Sequence, residues 1–211
     1  MRPLILFAHP ALEKSRVNRR LADAVRDLPG VTFHDLYEAY PDFDVDIRRE
    51  QELLLAHDLV VVQHPFYWYS TPAIVKQWQD LVLEHGWAYG RNGTALHGKS
   101  WLSAISTGGQ EAAYQAEGHN RFTIRQLLAP LEQTARLCGM TFLPPFVVHG
   151  THRLQPDGIA AAAHEYRRAI EALRDDRVDL DALARQHRFN ADLDAVIRPA
   201  AVLAESGTDA R

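Results

Sequence analysis

The chain has 211 residues, of which 46% are apolar and 24% charged, which suits a globular protein of one domain, or of one domain with an appendage. Its formal net charge of -4 is too small to indicate a nucleic-acid partner or a polybasic membrane anchor. Charges interrupt every apolar run well before the roughly 20 residues of a membrane span, and a single cysteine, Cys138, favours a reducing, cytosolic setting.

Strand-like apolar runs alternate with helical patterns along the chain. Residues 4–8, LILFA, form a continuous apolar run that we interpret as a buried first strand rather than a signal peptide. Further strands are predicted at residues 31–36, 59–62, 101–106 and 142–149. Apolar residues at helical spacing predict helices at residues 17–28, 46–56, 73–82, 127–137 and 159–173.

This alternation predicts an α/β fold with a five-stranded parallel sheet, doubly wound by helices. The segment WAYGRNGTAL, residues 87–96, carries an Asn-Gly pair that predicts a short hairpin insertion. Beyond residue 175 the composition shifts towards Asp, Arg and Ala. We therefore predict one domain over residues 1–175 and a helical C-terminal extension over residues 176–211, with residues 205–211 frayed.

Ligands of doubly wound sheets bind beyond the carboxyl ends of the strands, and three of these ends are unusual here. After the first strand, Ser15 and Asn18 open a helix and suit a phosphate, although a plain helix cap by Ser15 is the simpler alternative. After the third strand, QHPFYWYSTP (residues 63–72) either fills a local core or forms a platform for a flat ligand. After the fourth, the glycines of STGG (residues 106–109) permit close approach of a ligand or form an ordinary turn.

A phosphate seat, an aromatic platform and a glycine loop on one rim suit a flat ring system that carries a phosphate. Flavin mononucleotide (FMN) is the economical candidate for such a ligand.

Several motifs of the chain resemble the flavodoxin-fold family of NAD(P)H:quinone oxidoreductases, the DT-diaphorase-like proteins. Within this family the chain looks most similar to the small ancillary subunits of glutathione-regulated potassium-efflux systems. The resemblance is collinear over residues 4–175. It is carried by AHP with S-x-x-N, LYEAYPDFDVDI, QHPFYWYSTPAIVKQW, HGWAYGRNGTALHGK, STGG and CGMTFLPPFVVHG.

The resemblance implies a homodimeric flavoprotein that passes a hydride from NADH or NADPH, by way of the flavin, to a quinone. FMN is the expected cofactor, and FAD, which the larger relatives use, is the alternative. The implied cofactor-binding positions are His9, Ser15, Val17, Asn18, Pro65, Phe66, Tyr67, Trp68, Tyr69, Thr107, Gly108 and Gly109.

The resemblance also implies a catalytic pair. A tyrosine and a histidine downstream of T-G-G are implicated in proton relay in the larger quinone reductases. Tyr114 has the tyrosine spacing, whereas His119 lies one residue closer than the histidine does in those relatives. A solvated loop histidine is the alternative reading of His119.

A membrane partner is implied as well, because the ancillary subunits act on a potassium/proton antiporter. The chain would then be cytoplasmic and peripheral to the inner face of the membrane. Two alternatives stay open: a mainly non-catalytic regulatory subunit, and a free-standing quinone or drug reductase. No nucleic-acid partner is expected.

Two further patterns are expected to be coincidental. Residues 93–100, GTALHGKS, satisfy the P-loop pattern, but a strand-like run follows Lys99 where a phosphate-binding loop requires a helix. His149 and His152 lack a third ligand at a convincing spacing, so we expect no metal site and interpret them as solvated residues at a strand end.

Overall fold

A computed structural model describes residues 1–199 of the chain, and parallel strands form a single sheet within them. These strands are β1 (Pro3–Phe7), β2 (Thr32–Asp35), β3 (Leu59–Pro65), β4 (Ser100–Ser106), β5 (Thr141–Phe142) and β6 (Phe146–Val148). Their order across the sheet is β2-β1-β3-β4-β5, with β6 also paired to β4. This order is that of a flavodoxin-like, doubly wound sheet, which confirms the predicted fold class.

Helices cover both faces of the sheet. They are α1 (Val17–Val25), α2 (Leu36–Ala39), α3 (Ile47–Ala56), α4 (Ala73–Val82), α5 (Ile124–Leu127), α6 (Ala129–Leu137), α7 (Pro156–Arg174) and α8 (Leu180–Ala184). α3, α4 and α6 pack on one face, and α1 and α7 pack on the other. Successive residues of β1 and β3 therefore enter opposite cores, which explains their unbroken apolar sequence. Over residues 1–199, no helix combines the length and the apolar character that a membrane crossing requires.

The fifth strand is not continuous, as predicted over residues 142–149, but split. β5 pairs with Ser100 and Trp101 at the start of β4, whereas β6 pairs with the last three residues of β4. Pro144 and Pro145 lie between the two pieces, and neither has a backbone N–H to donate to the ladder.

The predicted hairpin at residues 87–96 is wrong. This segment is a series of turns, with Gly93 N–H donating to Gly90 O and an isolated bridge between His85 and Tyr89. Trp87 and Tyr89 are partly buried against the core on the α4 face. Because these flanking aromatic side chains pack inward, no pair of strands forms around the Asn-Gly turn.

The P-loop pattern at residues 93–100 was rightly set aside. Lys99 is followed directly by β4, so no helix N-terminus is available to bind a phosphate there. Its Nζ instead donates to the carbonyl of His57, at 2.6 Å.

Residues 176–199 extend the core on the α1 and α7 face. Val178, Leu183 and Phe189 are buried in this core, whereas Leu180 of α8 is exposed. The side chain of Asn190 accepts from Val147 N–H and donates to Val147 O, both at 3.0 Å, and so pairs with the outer edge of β6. A domain boundary at residue 175 stays a prediction, and the predicted fraying of residues 205–211 lies outside the described residues.

A buried carboxylate joins two layers of the fold. Glu50 of α3 has no exposed surface and accepts hydrogen bonds from Tyr40 Oη at 2.6 Å and Trp78 Nε1 at 2.8 Å. His34 Nε2 lies 2.8 Å from the same carboxylate. Burial alone would raise the pKa of Glu50, but these three partners outweigh it and hold that pKa below the ordinary value.

Replacing Glu50 should therefore be costly. We expect Glu50→Ala to lower the free energy of unfolding by roughly 3–5 kcal/mol, because it leaves buried donors without an acceptor. Glu52→Ala, on the exposed side of the same helix, is the matched control and should cost less than about 1 kcal/mol. Urea denaturation of both variants measures this difference, and equal stabilities would contradict the structural role of Glu50.

Candidate active site

The carboxyl ends of β1, β3 and β4 open into one cleft of about 710 Å³. The predicted site residues that line it are His9, Ser15, Val17, Asn18, Pro65, Phe66, Tyr67, Trp68, Tyr69, Gly108, Gly109, Tyr114 and His119. Thr107 is buried behind this wall. Residues that line the cleft but were not among the predicted site residues are Ala11, Lys14, Arg16, Ser106, Ala113, Asn120, Thr151 and His152.

The charge of the cleft has one sign. Lys14 and Arg16 contribute cations beside the start of α1, and among the described residues no Asp or Glu side chain lines the cleft. His9 is buried, which lowers its pKa, and its Nδ1 accepts a hydrogen bond from the N–H of Ala11 at 3.1 Å. His9 is therefore neutral at pH 7, and its Nε2–H is available as a donor. An anionic group is favoured at this end of the cleft.

The start of α1 combines a side-chain cap with backbone N–H groups that have no intrahelical acceptor. Ser15 Oγ accepts from the N–H of Asn18 at 3.1 Å, so Ser15 does cap the helix, as the simpler reading predicted. The first turn of any α-helix has further N–H groups without intrahelical acceptors, and its dipole favours negative charge. The two readings of Ser15 are thus compatible.

Asn18 supplies a second observation at this helix end. Its Nδ2 donates to Ser106 Oγ at 2.9 Å and so ties α1 to the end of β4. Its Oδ1 is buried yet has no hydrogen-bond partner among the described residues. Because buried polar atoms are nearly always satisfied, a donor from water or from a ligand is expected there.

In the aromatic loop after β3, one ring is buried and the other three are exposed at the cleft. Phe66 is buried in the core, and its N–H donates to Ser106 O at 2.8 Å. Tyr67 and Tyr69 are half exposed, and Trp68 is 92% exposed. The Tyr67 ring packs edge-on against His9 with centroids 6.1 Å apart, and Tyr69 Oη donates to Asn120 at 3.2 Å. One ring thus fills the core, and three form a rim at the cleft.

The backbone of this loop is strained. Trp68 and Tyr69 have φ values of 51° and 61°, in the left-handed region that L-residues with large side chains rarely adopt. Each such residue costs roughly 1–2 kcal/mol relative to an ordinary conformation. Strain of this kind persists only where the surrounding structure enforces it, and it is found most often at functional sites.

On the other side of the cleft, close contacts leave no room for a side chain at Gly108 or Gly109. A Cβ on Gly108 would lie 2.5 Å from Nε2 of His152, and one on Gly109 would lie 3.1 Å from the Tyr114 ring. Thr107 Oγ1 donates to Gly109 O at 2.9 Å and holds the turn closed. The glycines therefore allow His152 and Tyr114 to pack directly against the backbone of this loop.

Tyr114 and His119 both line the cleft, but a different histidine packs on Tyr114. His119 is exposed, whereas the ring of His149 lies 5.6 Å from that of Tyr114, and its Nδ1 lies 3.1 Å from Thr107 Oγ1. Burial lowers the pKa of His149 to about 4. Burial also raises the pKa of Tyr114, against the opposing effect of Thr107 and Asn120. His149 lies at a strand end, directly after β6, as expected, but it is partly buried rather than solvated.

A sequence profile of the flavodoxin-like fold matches residues 1–173, and the chain belongs to this family. Two curated relatives are closely similar. An uncharacterized NAD(P)H oxidoreductase, YdeQ of Bacillus subtilis, is 42% identical over 196 residues, 93% of this chain and 97% of the relative. The glutathione-regulated potassium-efflux system ancillary protein KefG of Pectobacterium atrosepticum is 48% identical over 163 residues, 77% of this chain and 89% of the relative.

Two solved structures share the fold at substantial identity. General stress protein 14 of Treponema denticola, in complex with FMN, has a TM-score of 0.78 and 38% identity, over 82% of this chain and 99% of that one. The NADPH-quinone reductase of P. pentosaceus has a TM-score of 0.72 and 36% identity, over 80% of this chain and 96% of that one.

The strained loop makes a testable contrast between two substitutions at one position. Trp68→Gly should be about 1 kcal/mol more stable than Trp68→Ala, because glycine adopts the left-handed region freely. The same pair at Phe122, which is exposed and has no positive φ, should show no advantage for glycine. Thermal or urea unfolding of the four variants compares them, and equal stabilities for Trp68→Ala and Trp68→Gly would argue against strain.

Proposed function

We propose that this chain is a flavin-dependent NAD(P)H:quinone oxidoreductase that binds FMN in the cleft at the ends of β1, β3 and β4. The observation that carries the proposal is the combination of chemistry in one cleft. A cationic helix start, a buried acceptor without a partner among the described residues and a rim of aromatic rings all line it. FMN has a phosphate, a hydroxylated chain and a flat ring, and each would find a partner of suitable chemistry there.

At the phosphate end, the residues act by charge and by backbone donors. The N–H groups of the first turn of α1, with Lys14 and Arg16, would bind the phosphate. Asn18 Oδ1 would accept a hydrogen bond from a ribityl hydroxyl, which satisfies the one buried polar atom of this wall that has no partner among the described residues. Neutral His9 would donate from Nε2 without placing a further positive charge in the cleft.

At the ring end, the residues would orient a flat group. Bound FMN supplies a ring that accepts a hydride from a nicotinamide and passes it on. The loop of residues 65–69 would line one edge of that ring, and Gly108 and Gly109 would permit the other edge to approach the backbone. Tyr114, which lines the cleft, would donate a proton at this end.

One site would serve both half-reactions. NADH or NADPH would occupy the open side of the cleft, leave after hydride transfer, and be replaced by a quinone. The exposed rings of Tyr67, Trp68 and Tyr69 form an apolar rim beside this opening. We propose that the nicotinamide, the quinone and a second copy of the chain in a homodimer cover this rim. FAD is the alternative cofactor.

The name of the KefG relative favours a second role for the same protein. We propose that the chain also acts as an ancillary subunit of a potassium-efflux antiporter, in the cytoplasm at the inner face of the membrane. A mainly regulatory subunit and a free-standing reductase are the two limits of this proposal. Transport assays with the wild type and a catalytically inactive variant separate them. No activation by the wild type supports a free-standing reductase, activation retained by the inactive variant supports a mainly regulatory subunit, and activation lost only in the inactive variant couples transport to catalysis.

The enzyme proposal predicts a reversible colour change. Purified protein supplied with FMN should show a flavin absorption spectrum that bleaches on anaerobic addition of NADPH or NADH and returns when a quinone is added. A protein that acquires neither FMN nor FAD would refute the proposal.

The proposed role of Asn18 can be measured without turnover. Asn18→Leu should weaken FMN binding at least about 10-fold, because it removes the acceptor for the ribityl hydroxyl and the bond to Ser106. Asn92→Leu, in an exposed turn away from the cleft, is the matched control and should bind FMN as the wild type does. Fluorescence titration of the apoproteins with FMN compares the dissociation constants, and equal values for both variants would remove Asn18 from the site.

A further inference from the structure

The C-terminal extension contacts the loop that carries Tyr114, although the extension lies beyond the family profile, which ends at residue 173. The two segments line a second cavity of about 350 Å³, to which the loop contributes Tyr114 and the extension contributes His187 and Arg188. Tyr114 also lines the cleft. A segment beyond the family profile therefore lies beside a residue of the candidate active site.

The extension is fixed to the edge of the sheet directly after Arg188. Phe189 is fully buried in the core on the α1 and α7 face, and its N–H donates to Pro145 O at 2.8 Å. The side-chain amide of Asn190 bonds to both backbone polar groups of Val147 in β6. Because the two residues that follow it are held in this way, the backbone of Arg188 has a fixed position beside the sheet.

Arg188 forms a two-point ion pair with Glu111. Its Nε lies 3.3 Å from Glu111 Oε1 and its Nη2 lies 3.1 Å from Glu111 Oε2, while its Nη1 donates to Asn190 O at 2.8 Å. All three nitrogens of the guanidinium are thus engaged, which fixes the plane of the group. Burial alone would raise the pKa of Glu111, but its basic neighbours, Arg188 first among them, hold that pKa below the ordinary value.

Glu111 opens a single 3-10 turn, Glu111–Ala113, that ends directly before Tyr114. The N–H of Tyr114 donates to Glu111 O at 3.0 Å, so a displacement of Glu111 would move the backbone of Tyr114 with it. A single helical turn is not stable by itself, because its few hydrogen bonds do not offset the entropy of ordering it. The ion pair with Arg188, 77 residues later in the chain, ties this turn to the sheet edge.

The glycine loop before this turn is held by a different set of bonds. Gly109 O accepts from the N–H of Gly150 and from Thr107 Oγ1, both at 2.9 Å. The N–H of Thr107 donates to Val148 O, also at 2.9 Å. These bonds join the glycine loop to the end of β6 and do not involve the extension. Loss of the ion pair should therefore loosen Tyr114 and leave the glycine loop in place.

We infer that Arg188 is a positioning residue for the proposed reaction, and that through Glu111 it holds Tyr114 in the arrangement that a quinone meets in the cleft. This inference rests on the proposed function. An enzyme that has this arrangement for only part of the time binds the quinone more weakly, in proportion to that fraction. A saturating quinone restores the arrangement, because it binds that form of the enzyme. Loss of the ion pair should therefore raise KM for the quinone and change kcat little.

Kinetics of the FMN-loaded enzyme test this role. Arg188→Ala and Glu111→Ala should each raise KM for a quinone about 5-fold, the size of effect that one partly exposed ion pair can have, and change kcat by less than about 2-fold. The double variant should be no worse than either single variant, because both substitutions remove the same interaction. Arg185→Ala, at an exposed arginine of the same extension, is the matched control and should behave as the wild type does. A lower kcat with unchanged KM would indicate loss of folded enzyme and overturn the positioning role.

A second measurement needs neither flavin nor turnover. In the protein without flavin, Arg188→Ala should speed the hydrogen exchange, followed by NMR, of the N–H groups of Ala113 and Tyr114. The N–H groups of Thr107 and Gly150 should exchange as in the wild type. A wild-type protein that never reduces quinone refutes the proposed function, and the exchange rates then decide alone whether Arg188 holds the turn. Unchanged KM in a working Arg188→Ala enzyme, additive effects of the two substitutions, or unchanged exchange of Tyr114 overturns the inference.

Discussion

The complete burial of β3 between β1 and β4 is the constraint on which the rest of the structure depends. Every residue of β3 is buried, and helices cover both faces of the sheet around it. Parallel strands whose faces and edges are covered can present chemistry only at their ends. The loops after β1, β3 and β4 therefore meet on one rim, and the cleft lies there.

The rim contains a strained backbone and a buried polar atom without a partner among the described residues. Hydrogen bonds to the end of β4 hold both in place. Phe66 N–H is bonded to the end of β4, and shortly after it Trp68 and Tyr69 take up left-handed backbone conformations. Asn18 is likewise tied to Ser106, and its remaining oxygen has no partner among the described residues. Burial lowers the pKa of His9 in the cleft and of His149 beside Tyr114. These features gather donors, acceptors and rings in and beside one cleft.

Local signals predicted the strands and the site loops well, whereas contacts between distant segments were beyond reach. The apolar run of residues 59–62 predicted β3, and the helical spacing of apolar residues predicted α4. The aromatic rings at the carboxyl end of a buried strand predicted a cleft there. The Asn-Gly hairpin failed because Trp87 and Tyr89 pack into the core instead of pairing. His149 was misread because its burial depends on the pairing of β6 with β4, which brings it to Thr107, 42 residues earlier.

A crystal structure of the protein grown with FMN would decide whether the three strand-end loops form one flavin site. We expect the phosphate at the start of α1 beside Ser15, a ribityl hydroxyl within hydrogen-bond distance of Asn18, and the ring between the loop of residues 65–69 and Gly108-Gly109. Flavin bound elsewhere on the chain, or a cleft in which the aromatic rim has closed and no flavin enters, would contradict it.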